Sequence, residues 1–177
     1  MMEFEWLTET TNYNGEDFEK MKSNIFEADP FGDFEKGMFI KIQERTFNMY
    51  PIIDYALIIV DNKPVGMLGY YSVDNNNYWL GWFGILKEFR NLGYGEQSLR
   101  KFEKFIMDKG AKTIRLYTGL EVNKAAVKLY KKLNYIQEPN IYSKEGENDI
   151  VIFGKSLDNS SYKLWNKEPL WSIMPLC

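Results

Sequence analysis

The sequence predicts a mixed α/β (α+β) domain with a mostly antiparallel central sheet and helices on both faces. Two observations support this class. Three strand-like runs follow one another around short polar turns between Tyr55 and Ile85, which is the pattern of an antiparallel meander. After Glu96, helical and strand patterns alternate, and a strand, helix, strand order implies a parallel crossover.

Two amphipathic helices are predicted in the first third of the chain. Apolar residues recur at helical spacing over 16–28 and again over 34–47. Asn14 is a suitable N-cap for the first helix. Residues 29–32 form a Pro- and Gly-containing breaker between the two helices, and Pro51 is expected to end the second.

Five strands and two further helices are predicted between Tyr55 and Gly154. Apolar runs bounded by polar turns predict strands over 55–60, 65–71, 78–85, 113–117 and 149–154. Helical spacing predicts helices over 96–108, closed by Gly110, and over 124–133. Because 177 residues with 45% hydrophobic content suffice for one core, we expect a single domain over 1–157, with the tail 158–177 packed on it.

The composition excludes several classes of function. With 22 basic and 25 acidic residues the net charge is −3, which is the wrong balance for a nucleic-acid-binding protein. The chain has no apolar run of about 18 residues and no secretory signal, so we expect a cytoplasmic protein without a membrane partner. It contains no histidine, and its single cysteine is Cys177. The usual nucleophile pairs and metal sites are therefore not expected, which leaves proton transfer to Tyr, Asp, Glu, Lys or water.

A glycine-containing loop over 85–96 joins a predicted strand to a predicted helix. Its exposed N–H groups and the positive end of the helix dipole form a site for phosphate oxygens. Gly93 and Gly95 lack Cβ atoms and would let a pyrophosphate approach, with the charge of Arg90 beside it. The Rossmann fingerprint fails at Ser98, and no Gly-Lys-Ser/Thr is present for a P-loop.

The pattern Arg90-x-x-Gly93-x-Gly95 resembles the coenzyme A signature of the GNAT N-acetyltransferase superfamily. A second GNAT pattern, Asn-x-x-Ala-x-x-Leu-Tyr followed by Leu-Gly-Phe, is matched by Asn123, Ala126, Leu129, Tyr130 and then Leu133-Asn134-Tyr135. The chain is thereby identified as a member of this superfamily, on motifs that cover 78–135. The resemblance implies a splayed central strand pair, acetyl-CoA as the acetyl donor, and no metal.

The resemblance also implies roles for individual residues. It places the pantetheine arm along the main chain of Phe83, Gly84 and Ile85. The pyrophosphate would bind main-chain amides of Arg90, Asn91, Leu92, Gly93, Tyr94, Gly95 and Glu96. The second pattern contributes Asn123 and Ala126 to the coenzyme site, and Tyr130 as the catalytic donor of a proton to the departing thiolate.

The residues also permit purely structural interpretations. Gly81 and Gly84 interrupt a strand and could mark a bulge or a close backbone neighbour. Asn123 could simply cap a helix, and Tyr130 could simply pack in the core. The lysines at 124, 128, 131 and 132 are expected to form a solvated face, from which one could reach the ribose phosphate of the coenzyme.

Three departures from the family pattern stand out. Asn91 replaces a glycine, and Asn134-Tyr135 replaces Gly-Phe, although asparagine tolerates left-handed backbone. The strand 78–85 carries no carboxylate, whereas some members place a glutamate there. Since a primary amine has a pKa of about 10.4, a group must remove its proton. We expect a water chain, with Asp54, Glu27, Asp29 and the C-terminal carboxylate of Cys177 as alternatives.

The predicted function is transfer of an acetyl group from acetyl-CoA to a primary amine by direct attack in a ternary complex. An acidic chain rich in Tyr and Trp suits a small cationic substrate. The alternatives are a non-catalytic acetyl-CoA-binding sensor or scaffold, and a domain that binds NAD or ATP. A monomer or a homodimer is expected.

Overall fold

The computed structural model describes residues 1–26, 37–142 and 149–165. In chain order the elements are β1 (Met2–Trp6), α1 (Gly15–Ile25), α2 (Met38–Gln43), β2 (Ile52–Val60), β3 (Lys63–Ser72), β4 (Asn77–Ile85), α3 (Tyr94–Asp108), β5 (Thr113–Gly119), α4 (Lys124–Lys132), β6 (Ile136–Tyr142) and β7 (Ile150–Ser156). The described strands form one sheet in the order β1-β2-β3-β4-β5-β7-β6. Within it β4 and β5 pair in parallel and the other neighbours are antiparallel, which confirms the predicted class.

The sheet buries both of its faces because alternate side chains of each strand point to opposite sides. In β2, Ala56 and Ile58 pack in one hydrophobic cluster, while Tyr55 and Leu57 pack in another. The first cluster includes Leu99, Phe102 and Ile106 of α3 and Tyr130 of α4, and we call this side the α3–α4 face. The second includes Phe18 and Met21 of α1 and Phe39 and Ile42 of α2, and we call it the α1–α2 face.

Helix α1 begins as its sequence predicts. The side chain of Asn14 accepts hydrogen bonds from the main-chain N–H groups of Glu16 (2.9 Å) and Asp17 (3.2 Å). The Asp17 carboxylate in turn accepts one from the Asn14 N–H (2.9 Å). This capping box satisfies donors that have no partner inside the helix. The predicted end of α1 at Ala28 and the breaker 29–32 lie outside the described residues.

Helix α2 is shorter than predicted. It ends at Gln43, so the prediction that it continues to Phe47 and stops at Pro51 is wrong. Arg45 adopts a left-handed φ of 59°. The N–H groups of Thr46 and Phe47 then both donate to the carbonyl of Lys41, which turns the chain away from the helix axis.

The two edge strands β1 and β6 were not predicted. Strand β1 alternates apolar and acidic residues and pairs with β2 over Met2 to Trp6. Strand β6 contains Pro139, where its register with β7 is irregular between Gln137 and Ile141. Proline lacks an N–H donor and is tolerated at such an edge position. Edge strands pair on one side only, so their sequence pattern is weak.

Candidate active site

The parallel strands β4 and β5 diverge after a short stretch of pairing. Their register runs from Asn77↔Thr113 to Trp79↔Arg115 and stops there. Beyond this point β4 continues to Ile85 against β3, and β5 continues to Gly119 against β7. The facing edges of 81–85 and 118–119 have no strand partner on this side among the described residues, so their main-chain groups can serve a ligand or water. This is the splayed central pair expected from the resemblance.

A bulge shapes β4 beside this opening. Gly81 pairs with Gly69 and Gly84 pairs with Met67, so the two residues 82–83 lie opposite one residue of β3. A bulge of this kind bends the strand and increases its twist. Gly84 also meets a close neighbour, because a Cβ atom there would lie 2.3 Å from Cγ2 of Ile25. The bulge expected from the glycines is seen in β4, whereas the close neighbour of Gly84 is a side chain and not backbone.

The loop after β4 leads into a helix start without a side-chain cap. A 3-10 turn over Lys87–Phe89 is followed by left-handed residues at Asn91 (φ 63°) and Gly93 (φ 82°). Gly93 is the N-cap of α3 and, as a glycine, supplies no side-chain hydrogen bond to its first turn. The N–H groups of that turn have no acceptor within the helix and carry the positive end of its dipole. Such a start suits phosphate oxygens.

Gly95 shows that the fold itself leaves space at this helix start. A Cβ atom at Gly95 would lie 3.4 Å from Leu129, 3.9 Å from Phe83 and 4.0 Å from Ile85, all ordinary contacts. Packing within the protein therefore does not require glycine here, whereas close approach of a ligand would. The same distances bring together the loop, the end of β4 and helix α4.

The Arg90 side chain connects the loop to neighbouring elements by hydrogen bonds. It is exposed, and its Nε donates to the carbonyl of Ile85 (2.9 Å) while Nη2 donates to that of Ile25 (3.4 Å). The guanidinium thus ties the loop to the ends of β4 and α1. Its positive charge stays beside the start of α3, and part of its donor capacity is already used by the protein.

Glu96, in the first turn of α3, is neutralised by two cations. Its carboxylate accepts from Lys132 at the end of α4 and from Arg100 one turn along α3 (3.0 Å). These hydrogen bonds lower the pKa of Glu96, that from Lys132 most. The exposed pair with Lys132 links α3 to α4, so at least this lysine of the predicted solvated face has a partner.

Asn123 precedes α4 but does not cap it with its side chain, so that prediction is wrong. Its Nδ2 donates instead to the hydroxyl of Thr118 on β5 (3.1 Å). The side chain is exposed, and half-buried Ala126 follows in the first turn of the helix. The Asn123 amide is therefore tied to the strand that borders the opening.

Tyr130 is packed in the α3–α4 face. Its side chain is 5% exposed, and its ring lies 5.8 Å from that of Tyr135 and 5.7 Å from that of Phe153. Asn134, between helix α4 and Tyr135, adopts a left-handed φ of 63°, as expected for an asparagine in place of glycine. The ring of Tyr130 is thus fixed by aromatic neighbours on β7 and on the turn that follows α4.

Asp54 is a buried carboxylate away from the opening. It lies on β2, and β3 separates that strand from β4. Its oxygens accept from the Thr8 hydroxyl (2.6 Å), the Thr8 N–H (3.3 Å) and the Tyr55 N–H (2.8 Å). Burial raises its pKa to about 6 despite these hydrogen bonds. Glu27, Asp29 and Cys177, the other candidate bases, lie outside the described residues.

The α1–α2 face of the opening is aromatic. Trp79 and Trp82 project to it from β4, and Tyr117 packs against the same cluster from β5. Trp165, from the segment after β7, also packs there. Sequence reasoning did not assign these residues to the site, because their convergence depends on the sheet register and on the path of the chain end.

Two possible features are missing from the described part of the chain. In the described residues, no group of three or more His, Cys, Asp or Glu side chains is placed to hold a metal ion. Among the described helices, none has the length and apolar character needed to cross a membrane.

A mixed sheet whose parallel central strands diverge beside a glycine-started helix is the arrangement expected from the resemblance to coenzyme A-dependent acetyltransferases. The model of the acetyltransferase (GNAT) family matches residues 16–135, more than half of the chain. The chain therefore belongs to the GNAT acetyltransferase family, an acetyl-CoA-dependent group of enzymes.

Solved structures share this fold at low sequence identity. A GNAT-family protein from Desulfovibrio desulfuricans superposes with a TM-score of 0.72 at 12% identity, covering 89% of this chain and 99% of its own. The ribosomal-protein-S18-alanine N-acetyltransferase from Escherichia coli gives 0.67 at 15%, covering 94% and 100%. An aminoglycoside 6'-N-acetyltransferase complexed with coenzyme A gives 0.64 at 14%, covering 92% and 99%. Comparison with curated protein sequences gives no match.

Proposed function

We propose that this protein transfers an acetyl group from acetyl-CoA to the primary amine of a small cationic molecule. The observation that carries the proposal is the meeting of three features: the opening between β4 and β5, the uncapped start of α3, and the space above Gly95. Together they offer unpaired main-chain groups and a helix dipole at one place.

The donor site follows from these features. In the proposal, main-chain amides of 90–96 hold the pyrophosphate, and Gly93 and Gly95 leave room for its oxygens. The pantetheine arm lies along the unpaired edge of β4 at Phe83, Gly84 and Ile85. Asn123, tied to Thr118, and Ala126 border this arm from α4.

The proposed chemistry is a direct displacement. The amine nitrogen attacks the thioester carbonyl carbon, a C–N bond forms, and the C–S bond breaks with its electron pair on sulfur. Tyr130 donates its phenolic proton to that sulfur. The proton lost by the amine passes to a water chain, since Asp54 lies beyond β3.

The proposed acceptor class rests on charge and on the aromatic face. The protein carries a net charge of −3, and the rings of Trp79, Trp82 and Tyr117 lie on the α1–α2 face. Aromatic faces attract organic cations, and an acidic protein attracts them at long range. The two N-acetyltransferases of similar fold differ in acceptor, a ribosomal protein and an aminoglycoside, so the fold alone does not select one.

A ligand panel tests the donor. Thermal unfolding is measured with acetyl-CoA, NAD and ATP, each at about 100 times a micromolar dissociation constant, where binding adds about 2.7 kcal/mol. We expect stabilisation by acetyl-CoA. Stabilisation by NAD or ATP alone would overturn the proposal.

An amine panel tests the reaction. Free coenzyme A is followed by a thiol reagent while acetyl-CoA is mixed with spermidine, ethanolamine, glucosamine and a peptide with a free N-terminus. We expect release above the rate with water for at least one cationic amine. Binding of acetyl-CoA without release for any amine would instead support the sensor or scaffold alternative.

A further inference from the structure

The segment after β7 is anchored on the α1–α2 face by a buried ion pair. The Tyr162 hydroxyl donates to Oε1 of Glu138 and accepts from Nε of Arg115 (3.0 Å). The Trp165 N–H donates to the same Glu138 oxygen (2.8 Å), and Nη2 of Arg115 donates to the Lys163 carbonyl (2.7 Å). Residues 162–165 are therefore held by hydrogen bonds to β5 and β6.

The anchor is buried and closely fitted. Arg115 is 5% exposed and Glu138 is 1% exposed, so removing either partner would leave an uncompensated buried charge. A Cβ atom at Gly154 on β7 would lie 1.8 Å from the Tyr162 hydroxyl. Because residue 154 has no side chain, the Tyr162 hydroxyl can lie directly against β7. The segment is thus built into the sheet surface.

This anchor places Trp165 at the point where the central strands part. The last paired residues of β4 and β5 are Trp79 and Arg115. The Trp165 ring lies 5.2 Å from the Trp79 ring, edge to face, and 5.6 Å from the Arg115 guanidinium carbon. Trp165, from the segment after β7, therefore lies beside the last paired residues of β4 and β5.

If the proposed function is right, the acceptor must approach from the α1–α2 face. The present inference therefore rests on the proposed function. The uncapped start of α3 and Leu129 of α4 lie on the opposite, α3–α4 face, where the coenzyme would enter. An amine needs an unobstructed line to the thioester carbonyl within the same opening. In the proposal the acceptor reaches the thioester from the α1–α2 face, where Trp79 and Trp82 lie.

Two indole groups on this face have polar atoms without a partner. Nε1 of Trp165 and Nε1 of Trp82 are buried, and no described residue accepts a hydrogen bond from either. Buried indole N–H groups usually have an acceptor. A ligand oxygen in the opening would supply one.

We propose that Trp165 is a specificity-determining residue of the acceptor site and that Glu138 is the positioning residue that holds it there. The acceptor class that fits is a cationic amine that also carries a hydroxyl or carbonyl oxygen. The Trp79 and Trp165 rings would face the cation, and the Trp165 indole N–H would donate to the oxygen.

Indole resonances of ¹⁵N-labelled protein test the location without a known acceptor. Trp82 and Trp165 are assigned by Trp→Phe variants, and acetyl-CoA is titrated. We expect both resonances to shift, whereas Trp6, which stacks on Phe105 on the other face, stays fixed. A shift of Trp82 with no shift of Trp165 overturns this inference alone. No shift at all, with no thermal stabilisation, overturns the proposed function and this inference with it.

Kinetics test the roles. Coenzyme A release is measured with spermidine, which has no oxygen, and with ethanolamine and glucosamine, which have hydroxyls. We expect Trp165→Ala to raise the KM of the amine at least about tenfold, as for an aromatic residue at a binding hot spot, with the KM of acetyl-CoA unchanged. Leu164→Ala, at the neighbouring residue that is 46% exposed, is the matched control and is expected to change neither.

Two conservative variants separate recognition from folding. Trp165→Phe keeps the ring without the donor, so it should preserve the KM of spermidine and raise that of the two hydroxylated amines. Glu138→Ala should raise the KM of the amine as Trp165→Ala does, with partial rescue in Glu138→Gln, which still accepts from Trp165. Equal losses of amine affinity and acetyl-CoA affinity in these variants would show that Trp165 and Glu138 have only a structural role. If none of the three amines is turned over, the indole titration decides.

Discussion

The proposed donor side and the proposed acceptor side of the opening are built in different ways. The donor side comes from one contiguous stretch, in which a Cβ atom at Gly95 would lie within 4.0 Å of both Phe83 and Leu129. The acceptor side joins Trp79, Arg115, Glu138 and Trp165, which come from three strands and the segment after β7. The first contains a loop and a helix start set by the local backbone, although β4 and α4 must pack beside them, whereas the second consists entirely of residues brought together from separate elements.

This difference explains why a sequence pattern can indicate the proposed donor side and not the proposed acceptor side. The donor side depends on main-chain geometry, such as the left-handed φ of Gly93 and the missing Cβ of Gly95, and these requirements restrict residue type. The acceptor side depends on side chains that converge from distant parts of the chain. Each of its members also fits an ordinary strand or loop, so no single residue signals the site.

The largest expected effect concerns the chemistry on the donor side. Tyr130→Phe keeps the ring that packs on Tyr135 and Phe153 but removes the proton donor. We expect kcat to fall about 100-fold or more, the usual contribution of general acid catalysis, with the acetyl-CoA dissociation constant unchanged. Tyr135→Phe, at the neighbouring buried ring, is the control and should keep kcat. A parental rate for Tyr130→Phe with a good amine would refute the donor role.

The second effect separates Asp54 from the acceptor side. Its folded pKa of about 6 exceeds the unfolded value of 3.8, so its contribution to stability is fully present below pH 3.8 and is lost as the pH rises through 6. Asp54→Asn removes this titration. Relative to the parent, the variant should gain about 2 to 3 kcal/mol in free energy of unfolding between pH 4 and pH 7.

Urea unfolding at both pH values measures this difference, and coenzyme A release provides the functional control. Because β3 lies between Asp54 and the opening, we expect turnover of Asp54→Asn near the parental value. A large loss of turnover with unchanged stability would make Asp54 the base instead of the water chain.

The third effect perturbs the acceptor side alone. In Gly154→Ala the new methyl group overlaps the Tyr162 hydroxyl, which Arg115 and Glu138 hold in place. We expect a loss of about 1 to 3 kcal/mol in the free energy of unfolding, as for overpacking. Acetyl-CoA affinity, measured by calorimetry, should not change. A parallel loss of that affinity would show that the two sides are not independent.

The smallest effect is the converse change on the donor side. Gly95→Ala meets only ordinary contacts and favours a helix, so stability should hold or rise by up to about 1 kcal/mol. The methyl group would occupy space needed by the phosphates. We expect the acetyl-CoA dissociation constant to rise about tenfold, which is about 1.4 kcal/mol. An unchanged constant would place the pyrophosphate elsewhere.

The elements predicted from sequence show the same division. The meander, α3, β5 and α4 lie within a few residues of their predicted bounds, because their apolar spacing and their turns are local. Edge strands β1 and β6 were missed, because a strand that pairs on one side only shows a weak sequence pattern. Helix α2 ends at Gln43, just before Arg45, which adopts a left-handed conformation. Arginine is not a residue type that predicts this conformation.

For the candidate site, the motif residues could be named from sequence, but their contacts could not. Asn123 reads as a helix cap, yet in the structure its amide donates to Thr118, because the end of β5 lies close to the start of α4. Arg90 was expected to place its charge beside the pyrophosphate, and in the structure it also donates to two carbonyls whose positions depend on α1 and β4. Which of several possible partners a side chain contacts depends on the groups that the fold places within its reach.

The sequence alone determined the fold class, the acetyl donor expected from the family motifs, and the stretch expected to bind it, because glycine positions and helix starts are set by the local backbone. The tertiary structure decided where the strands part and which residue of the segment after β7 lies beside that point. Trp165 gains a place at the opening only through Glu138 and Arg115, and such long-range contacts form only when separate elements pack together.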